Sequence, residues 1–313
     1  MMLSYVAFFL LMYYAPSLRV YLIIYWSYIC FIDMSHVNGG YSDRWPRAWT
    51  MMLRHRYTGL QDYLNTAIIK TADLDPSKNY MFLYHPHGII GLGLLSAVGT
   101  EGVGPTGGLR NGPSFSELFP GIFASVATLN IVFKVPFWHE WLLAHSFVSA
   151  DKNNLKKILT TAGRSLCLIP GGAAEALNSH PGSMRLHIKN RKGFIKIALT
   201  TGCSLVPTIG FGENELFACV DNPEGSWTRS IQVFAMKRLG FSVPLFKTFM
   251  PVVDPAKPLT MVVGAPMDVE KVVGQPSDEL VNSTHALYLS KLKALFLEHR
   301  KECGFEHVEI EFV

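Results

Sequence analysis

The sequence has little that would hold a metal or a disulfide scaffold. Its five cysteines, Cys30, Cys167, Cys203, Cys219 and Cys303, are an odd set with no C-x-x-C spacing. That argues against structural zinc and leaves reduced thiols in the cytosol as the expectation. No H-E-x-x-H and no Cys/His cluster occurs, so no metal site is expected. Charge is scarce as well, at 17% of residues with a net charge of +4, too little to argue for nucleic acid, and no zinc-finger or basic-zipper pattern appears. There is no G-x-S-x-G nucleophile elbow and no G-x-x-x-x-G-K-[ST] phosphate loop. The run from Gly102 to Gly107 matches G-x-G-x-x-G, but Glu101 precedes it instead of a strand and Pro105 interrupts it, so it reads as a loop. No Pro/Ser/Gly-rich linker and no internal repeat divides the 313 residues, which suits one catalytic domain with an N-terminal appendage.

Apolar residues, by contrast, are plentiful, at 49% with a mean hydropathy of +0.21, a balance that leans towards membrane association. Leu3 to Ile32 is almost continuously apolar, broken only near Pro16-Ser17-Leu18-Arg19. A bilayer-spanning helix needs roughly 20 apolar residues. Either one tilted helix crosses, or two arms, Tyr5–Ala15 and Val20–Ile32, form a re-entrant hairpin hinged at Pro16. A signal peptide fits poorly, because no basic segment precedes the run and the run is too long. Arg44, Arg47, Arg54 and Arg56 follow the segment, and no Lys or Arg precedes Arg19. The positive-inside rule then places the body in the cytosol. Residues 1–35 are read as the membrane anchor and 36–313 as the cytosol-facing domain. Trp26, Tyr28, Trp45 and Trp49 are candidates for the membrane interface, with Trp45 and Trp49 equally suited to a core.

Strand and helix patterns alternate along the body, which predicts an α/β layered fold. Strands are expected at Tyr80–Tyr84, Ser165–Ile169, Ser204–Ile209 and Leu259–Val263. Helices are expected at Leu155–Ala162, started by Asn153/Asn154 and stopped at Gly163, and at Gly193–Thr201, stopped at Gly202. A last helix runs from a Ser277 cap to about Lys301. Val308, Ile310 and Phe312 alternate with Glu309 and Glu311, as in a terminal strand with one wet face. Phe123–Phe147 is apolar enough to be core or a lipid-dipping face.

Three groups of residues carry candidate chemistry. The first is His85-Pro86-His87-Gly88, directly after the Tyr80–Tyr84 strand. Pro86 removes a donor and favours an extended His85, and Gly88 permits a sharp turn. Two groups that titrate near neutral pH thus stand at a strand end, where α/β proteins place their chemistry. An isolated His-x-His pair is also compatible with two turn histidines satisfied by the backbone. The second group is Pro170-Gly171-Gly172-Ala173-Ala174-Glu175, again at a strand end. Paired glycines let main-chain N–H groups approach a ligand. Glu175 either stabilises a helix N-terminus or orients and charge-stabilises an imidazolium. The third group is the cationic run Arg185, Lys189, Arg191, Lys192 and Lys196, which is either a solvated face or a phosphate site for a carrier such as coenzyme A.

These residues resemble a known family. HPHGIIGLG, FPGIFASVATLN, IPGGAAEAL, NRKGFIKIAL and LVPTIGFGENELF, in this order and spacing, look like the diacylglycerol acyltransferase type-two family, which includes monoacylglycerol and wax-alcohol acyltransferases. The resemblance runs from about Arg54 to the C-terminus, and Leu3–Ile32 matches the family's endoplasmic-reticulum anchor in compact form. It implies a single mixed-sheet α/β acyltransferase domain of the glycerolipid acyltransferase type. It implies acyl transfer from acyl-CoA to a lipid hydroxyl, with acyl-CoA as co-substrate and no metal or prosthetic group. Diacylglycerol is the expected acceptor, with monoacylglycerol or a long-chain alcohol as alternatives. The implied setting is the endoplasmic-reticulum membrane and the lipid-droplet surface, with a homo-oligomer allowed.

By the same resemblance His85, His87 and Glu175 carry over as catalytic residues. The RKGF block carries Arg191, Lys192, Gly193 and Phe194 over as acyl-CoA or structural positions, and Gly88, Gly171 and Gly172 are candidate binding positions whose main-chain N–H groups face the reacting oxyanion. The wider glycerolipid acyltransferase pattern His-x-x-x-x-Asp is not met. Ile90 and Leu92 occupy the two positions where Asp would stand, which leaves Glu175 as the substitute. Two departures concern Ala144–Asp151, which lacks the family's Gly-Gly step and downstream Arg, and Gly99–Pro113, a Gly-rich insertion. A non-catalytic lipid-binding or droplet-tethering protein, and a hydrolase using a His-activated water, are the rival readings of the same residues.

Overall fold

A seven-stranded mixed sheet organises the molecule in a computed structural model that describes residues 1–40, 63–99, 112–217, 225–239 and 258–313, with a few positions between them. The chain begins with α1 (Met2–Tyr14), a 3-10 turn (Pro16–Leu18) and α2 (Arg19–Phe31). Strands β1 (Thr66–Lys70) and β2 (Tyr80–His85) follow, then α3 (Leu92–Leu94), α4 (Phe115–Leu118), β3 (Ala124–Thr128), α5 (Trp138–Ala144) and β4 (Phe147–Ser149). Next come α6 (Lys152–Thr160), β5 (Ser165–Leu168), α7 (Gly172–Ala176), β6 (Met184–Leu186), α8 (Gly193–Thr201) and β7 (Ser204–Phe211). The chain closes with α9 (Trp227–Leu239), β8 (Leu259–Val263), α10 (Asp278–His299) and β9 (Ile310–Phe312).

The strand order is β1-β8-β7-β2-β5-β3-β4. The five strands from β7 to β4 run parallel, β8 is antiparallel to β7, and β1 is parallel to β8. β2 lies in the middle, with Leu83 paired to Leu168 of β5 on one side and to Pro207 of β7 on the other. All six of its residues are buried, because helices cover both faces of the sheet, as parallel strands require. The pleat sends Met81 and Leu83 to one face, where they pack with α6, α8 and α10 through residues such as Leu155, Phe194 and Tyr288. Tyr80, Phe82 and Tyr84 point to the other face, against Leu94, Phe115, Phe133 and Leu142.

Most sequence-predicted elements are present, with shifted edges. The strand after Asn79 extends one residue further, through His85. The helix expected to start at Asn153/Asn154 is capped instead by Asp151, whose carboxylate accepts the main-chain N–H of Asn153 at 2.9 Å and of Asn154 at 3.3 Å. Ser277 caps α10 as expected, accepting the Leu280 N–H at 3.2 Å. The terminal strand β9 pairs with β6 in a separate two-stranded ribbon. Phe123–Phe147 contributes β3 and α5, with Phe133, Leu142 and Leu143 in the core and Leu129, Ile131 and Phe137 exposed.

The N-terminal arms fold back on each other. Phe8 of α1 lies 5.4 Å from Trp26 of α2, ring to ring, and Arg19 donates through Nε to the Met12 carbonyl at 2.7 Å. The pair is also bonded to the domain. Tyr25 Oη donates to Glu140 at 2.6 Å and accepts the Phe137 N–H at 2.8 Å, and Trp26 Nε1 donates to the Lys134 carbonyl at 3.1 Å. The stretch Pro16–Val37 is long and apolar enough to cross a membrane by length and composition. Each arm has 13 residues, a length of about 20 Å at 1.5 Å per residue. Arg44, Trp45, Arg47, Trp49, Arg54, Arg56, Cys219 and residues 100–111, which include the Gly102–Gly107 run, lie outside the described residues.

Candidate active site

The topology brings together three blocks that are far apart in the sequence. β2, β5 and β7 are adjacent and parallel, so the turns after them leave from the same edge of the sheet. Those turns carry His87-Gly88, Gly171-Gly172 leading into Glu175, and Gly212-Glu213. The C-terminal edge of a parallel sheet is where such folds bind and react.

His85 is the last residue of β2 and is fully buried. Its Nε2 is 3.0 Å from the Tyr288 hydroxyl of α10, while its Nδ1 has no partner among the described residues. Burial lowers its pKa to about 3, so it is a neutral ring at any physiological pH. His87 stands beyond the strand and is half-buried. Its Nδ1 lies 3.0 Å from the Gly88 carbonyl, which makes Nδ1 the protonated nitrogen and leaves the Nε2 lone pair as the base. Burial lowers the His87 pKa, and the Gly88 carbonyl partly offsets that by accepting its N–H.

Glu175 reaches His87 through the main chain. One carboxylate oxygen accepts the His87 N–H at 2.6 Å and the other accepts the His187 N–H at 2.9 Å. The ring tautomer of His87 is therefore set by the Gly88 carbonyl, while Glu175 clamps the His-Pro-His turn to the segment that follows β6. Burial pushes Glu175 up to about 7, against the pull of the two N–H donors and of the Arg191 charge. Gly171 is required here because a Cβ at that position would overlap the Glu175 carboxylate.

A second buried acid, Glu213, was not singled out in the sequence although it lies within the GFGENELF block. It accepts the Tyr84 hydroxyl at 2.8 Å and the N–H groups of Leu92 and Gly93 at 3.0 and 2.7 Å. Burial holds it at about 7. Gly88 adopts φ +59°, and a Cβ there would come within 2.5 Å of the Glu213 side chain, so this glycine serves both the turn and the close approach. Tyr288, more than two hundred positions from His85, had no signal in the sequence. Burial and the Glu175 charge raise its phenol pKa well above normal. Behind His187, Asn178 bonds the His187 ring, and Arg229 of α9 donates to Asn178 Oδ1 at 2.6 Å.

The cationic run divides. Arg185 pairs with Glu311 at 2.8 Å, Lys192 donates to Asn282 at 2.7 Å and Lys196 pairs with Asp278 at 3.3 Å. Arg191 is the member whose charge acts on Glu175. Phe194 packs against the Tyr288 ring, 5.2 Å between centroids. Among the described residues no group of His, Cys, Asp and Glu is placed to hold a metal ion.

Comparison with known proteins settles the family. Residues 10–312 match the family model described as diacylglycerol acyltransferase. The chain belongs to the diacylglycerol acyltransferase family. It is 38% identical over 308 residues to diacylglycerol O-acyltransferase 2A of Umbelopsis ramanniana, covering 93% of this chain and 81% of the relative. It is 37% identical over 299 residues to 2-acylglycerol O-acyltransferase 1 of Homo sapiens, covering 92% and 84%. Diacylglycerol O-acyltransferase 2 of Danio rerio is 36% identical over 305 residues, covering 94% and 80%. No solved structure matches this chain. As a member of the diacylglycerol acyltransferase family the chain is an O-acyltransferase acting on glycerolipids, and the His-Pro-His turn at the sheet edge is its candidate centre.

Proposed function

We propose that this acyltransferase moves a fatty acyl group from acyl-CoA to the hydroxyl of diacylglycerol, forming triacylglycerol, with His87 as general base. The observation that carries the assignment to His87 is its half-buried ring, with Nδ1–H bonded to the Gly88 carbonyl and Nε2 left as the basic nitrogen. His85, sealed in the core against Tyr288, positions the turn. His87 Nε2 takes the proton as the acceptor oxygen attacks the thioester carbonyl. The main-chain N–H groups of Gly88 and of Gly171-Gly172 are the candidate donors to the oxyanion. The tetrahedral intermediate then collapses, the C–S bond breaks, and the CoA thiolate recovers the proton from the His87 imidazolium. Glu175 holds the main chain of His87 so that the base keeps its place. Arg191 and Lys192 are the proposed contacts for CoA phosphate. The two N-terminal arms, folded back on each other with Phe8 against Trp26, enter the endoplasmic-reticulum membrane or a lipid droplet as a hairpin on this reading.

Monoacylglycerol is a second acceptor reading, favoured by the human relative named a 2-acylglycerol O-acyltransferase. The test is transfer from labelled oleoyl-CoA in membranes containing the full chain, with diacylglycerol, monoacylglycerol and hexadecanol offered in parallel and His87→Ala as control. Labelled triacylglycerol as the main product, lost in the variant, supports the proposal. Diacylglycerol as the main product reassigns the acceptor. Free fatty acid alone, or turnover that survives His87→Ala, overturns the mechanism.

A further inference from the structure

Helix α9 is amphipathic the wrong way round for a helix that packs on a protein core. Its outward face carries Trp227, Ile231 and Phe234, which are 86%, 63% and 63% exposed and sit at the i, i+4, i+7 spacing of one helical stripe. Its inward face is polar. Arg229 donates to the Leu177 carbonyl at 3.0 Å and to Asn178 Oδ1 at 2.6 Å. Gln232 is 4% exposed and accepts from Asn222 at 2.8 Å. Water solvates Trp, Ile and Phe poorly, so this arrangement places the apolar stripe at a cost unless something covers it.

The chemistry of the surrounding chain says what covers it. Besides the inward Arg229, the helix sequence Trp227–Leu239 carries two cations, Lys237 and Arg238, and no Asp or Glu. The Arg238 guanidinium lies over the Phe234 ring, 5.6 Å from its centroid, at the end of the stripe. An apolar face containing Trp and rimmed by Arg, on a helix without acids, matches the layered chemistry of a phospholipid surface, acyl chains beneath and phosphates at the rim. The stretch Pro16–Val37 is long and apolar enough to cross a membrane by length and composition, and on the reading proposed above a bilayer is at hand.

We propose that α9 is a second membrane contact, lying in the plane of an anionic phospholipid surface with Trp227, Ile231 and Phe234 in the acyl region and Arg238 among the phosphates. Arg229 ties this helix to Asn178, which bonds the His187 ring beside the Glu175 clamp. Seating α9 would thus hold the His87 turn at a defined height over the lipid that supplies a hydrophobic acceptor.

The experiment uses the full chain in vesicles of phosphatidylcholine and phosphatidylserine doped with a phospholipid bearing a diazirine on its acyl chain. After photolysis, adducts are located by peptide mass spectrometry, a readout independent of whether the protein transfers acyl groups. Adducts are expected in Trp227–Phe234 as well as in the N-terminal helices. The triple variant Trp227→Ser, Ile231→Ser, Phe234→Ser should lower the α9 yield by about tenfold or more. It should leave the N-terminal yield unchanged, which also reports that the variant is folded and inserted. Adducts confined to the N-terminal helices overturn the proposal. So does a homotypic cross-link between Ile231→Cys sites on two copies without lipid adducts, which would assign the face to a second copy of the chain.

Discussion

Replacing Glu175 by Gln tests the clamp on the His87 turn with a predictable pH signature. The carboxylate accepts two main-chain N–H groups, from His87 at 2.6 Å and from His187 at 2.9 Å. A Gln can accept only one of them and turns its own N–H towards the other, at a cost of about 1–3 kcal/mol for the unsatisfied donor. The parent bears a different cost. Burial raises the Glu175 pKa from 4.5 to about 7, so the folded state binds this proton more tightly than the unfolded one. A raised pKa contributes stability that is fully present below about 4.5 and is lost as pH rises to about 7. The loss, at about 1.4 kcal/mol per pKa unit, is about 3 kcal/mol. The neutral Gln does not titrate, so the variant should be destabilised most at low pH and recover relative to the parent by about that amount between pH 4.5 and 7.

Taking the difference from the parent matters. His85 is lowered to about 3 and makes the opposite contribution, and Glu213, also near 7, makes a parallel one. Both cancel in the difference. The assay is thermal unfolding of the full chain in detergent at a series of pH values. The recovery corresponds to a shift of several degrees, on the order of 5 °C. A difference that does not change with pH would refute the buried, clamped carboxylate.

Three further outcomes follow from the same geometry. His87→Ala should lower kcat by about 10²–10⁴-fold, while Tyr288→Phe, which strips the partner from His85 Nε2, should cost about 1–3 kcal/mol of stability with kcat far less affected. Thermal unfolding and initial rates on both variants check the pair, and equal loss of kcat would undo the assignment of the base. Gly88→Ala should cost about 2–4 kcal/mol, combining the left-handed backbone strain with the overlap on Glu213, and Glu213→Ala in the same chain should relieve the overlap but not the strain. The acid limb of kcat/KM should have its midpoint below 6.5, because burial lowers the His87 pKa and the neutral ring persists as pH falls. A midpoint above 6.5 in a pH–rate profile would contradict the environment described for His87.

Local signals in the chain carried far in this protein. The apolar run Tyr80–Tyr84, ended by Pro86 and Gly88, is sufficient for a buried strand that delivers a histidine to its tip, because periodicity and turn chemistry act within a few residues. The same holds for Gly193–Thr201 with its Gly202 stop and for the Ser277 cap of α10. His85, His87 and Glu175 were all legible as chemistry-bearing residues at strand ends. Arg191 was visible as a cation near a helix start.

What each of them touches was decided by tertiary structure. The parallel adjacency of β2, β5 and β7 is a long-range pairing that no local pattern encodes, and it alone puts the three turns on one edge. Glu175 was expected to address an imidazole, but a carboxylate at the start of α7 meets main-chain N–H groups first, and the Gly88 carbonyl takes the ring. The Glu213 network and the Tyr288 partner of His85 depend on residues brought from 129 and 203 positions away. The sequence by itself determined β2, β5, β7, β8 and β9, the helices α6, α8 and α10, the apolar N-terminal arms and the identities of the reactive side chains, because these follow from short-range sterics and hydrophobic spacing, while β1, β3, β4 and β6 lacked a comparable local signal. The fold-back of those arms, the division between a sealed His85 and an accessible His87, and the outward stripe of α9 were decided only when packing assigned every side chain a neighbour or left it to solvent.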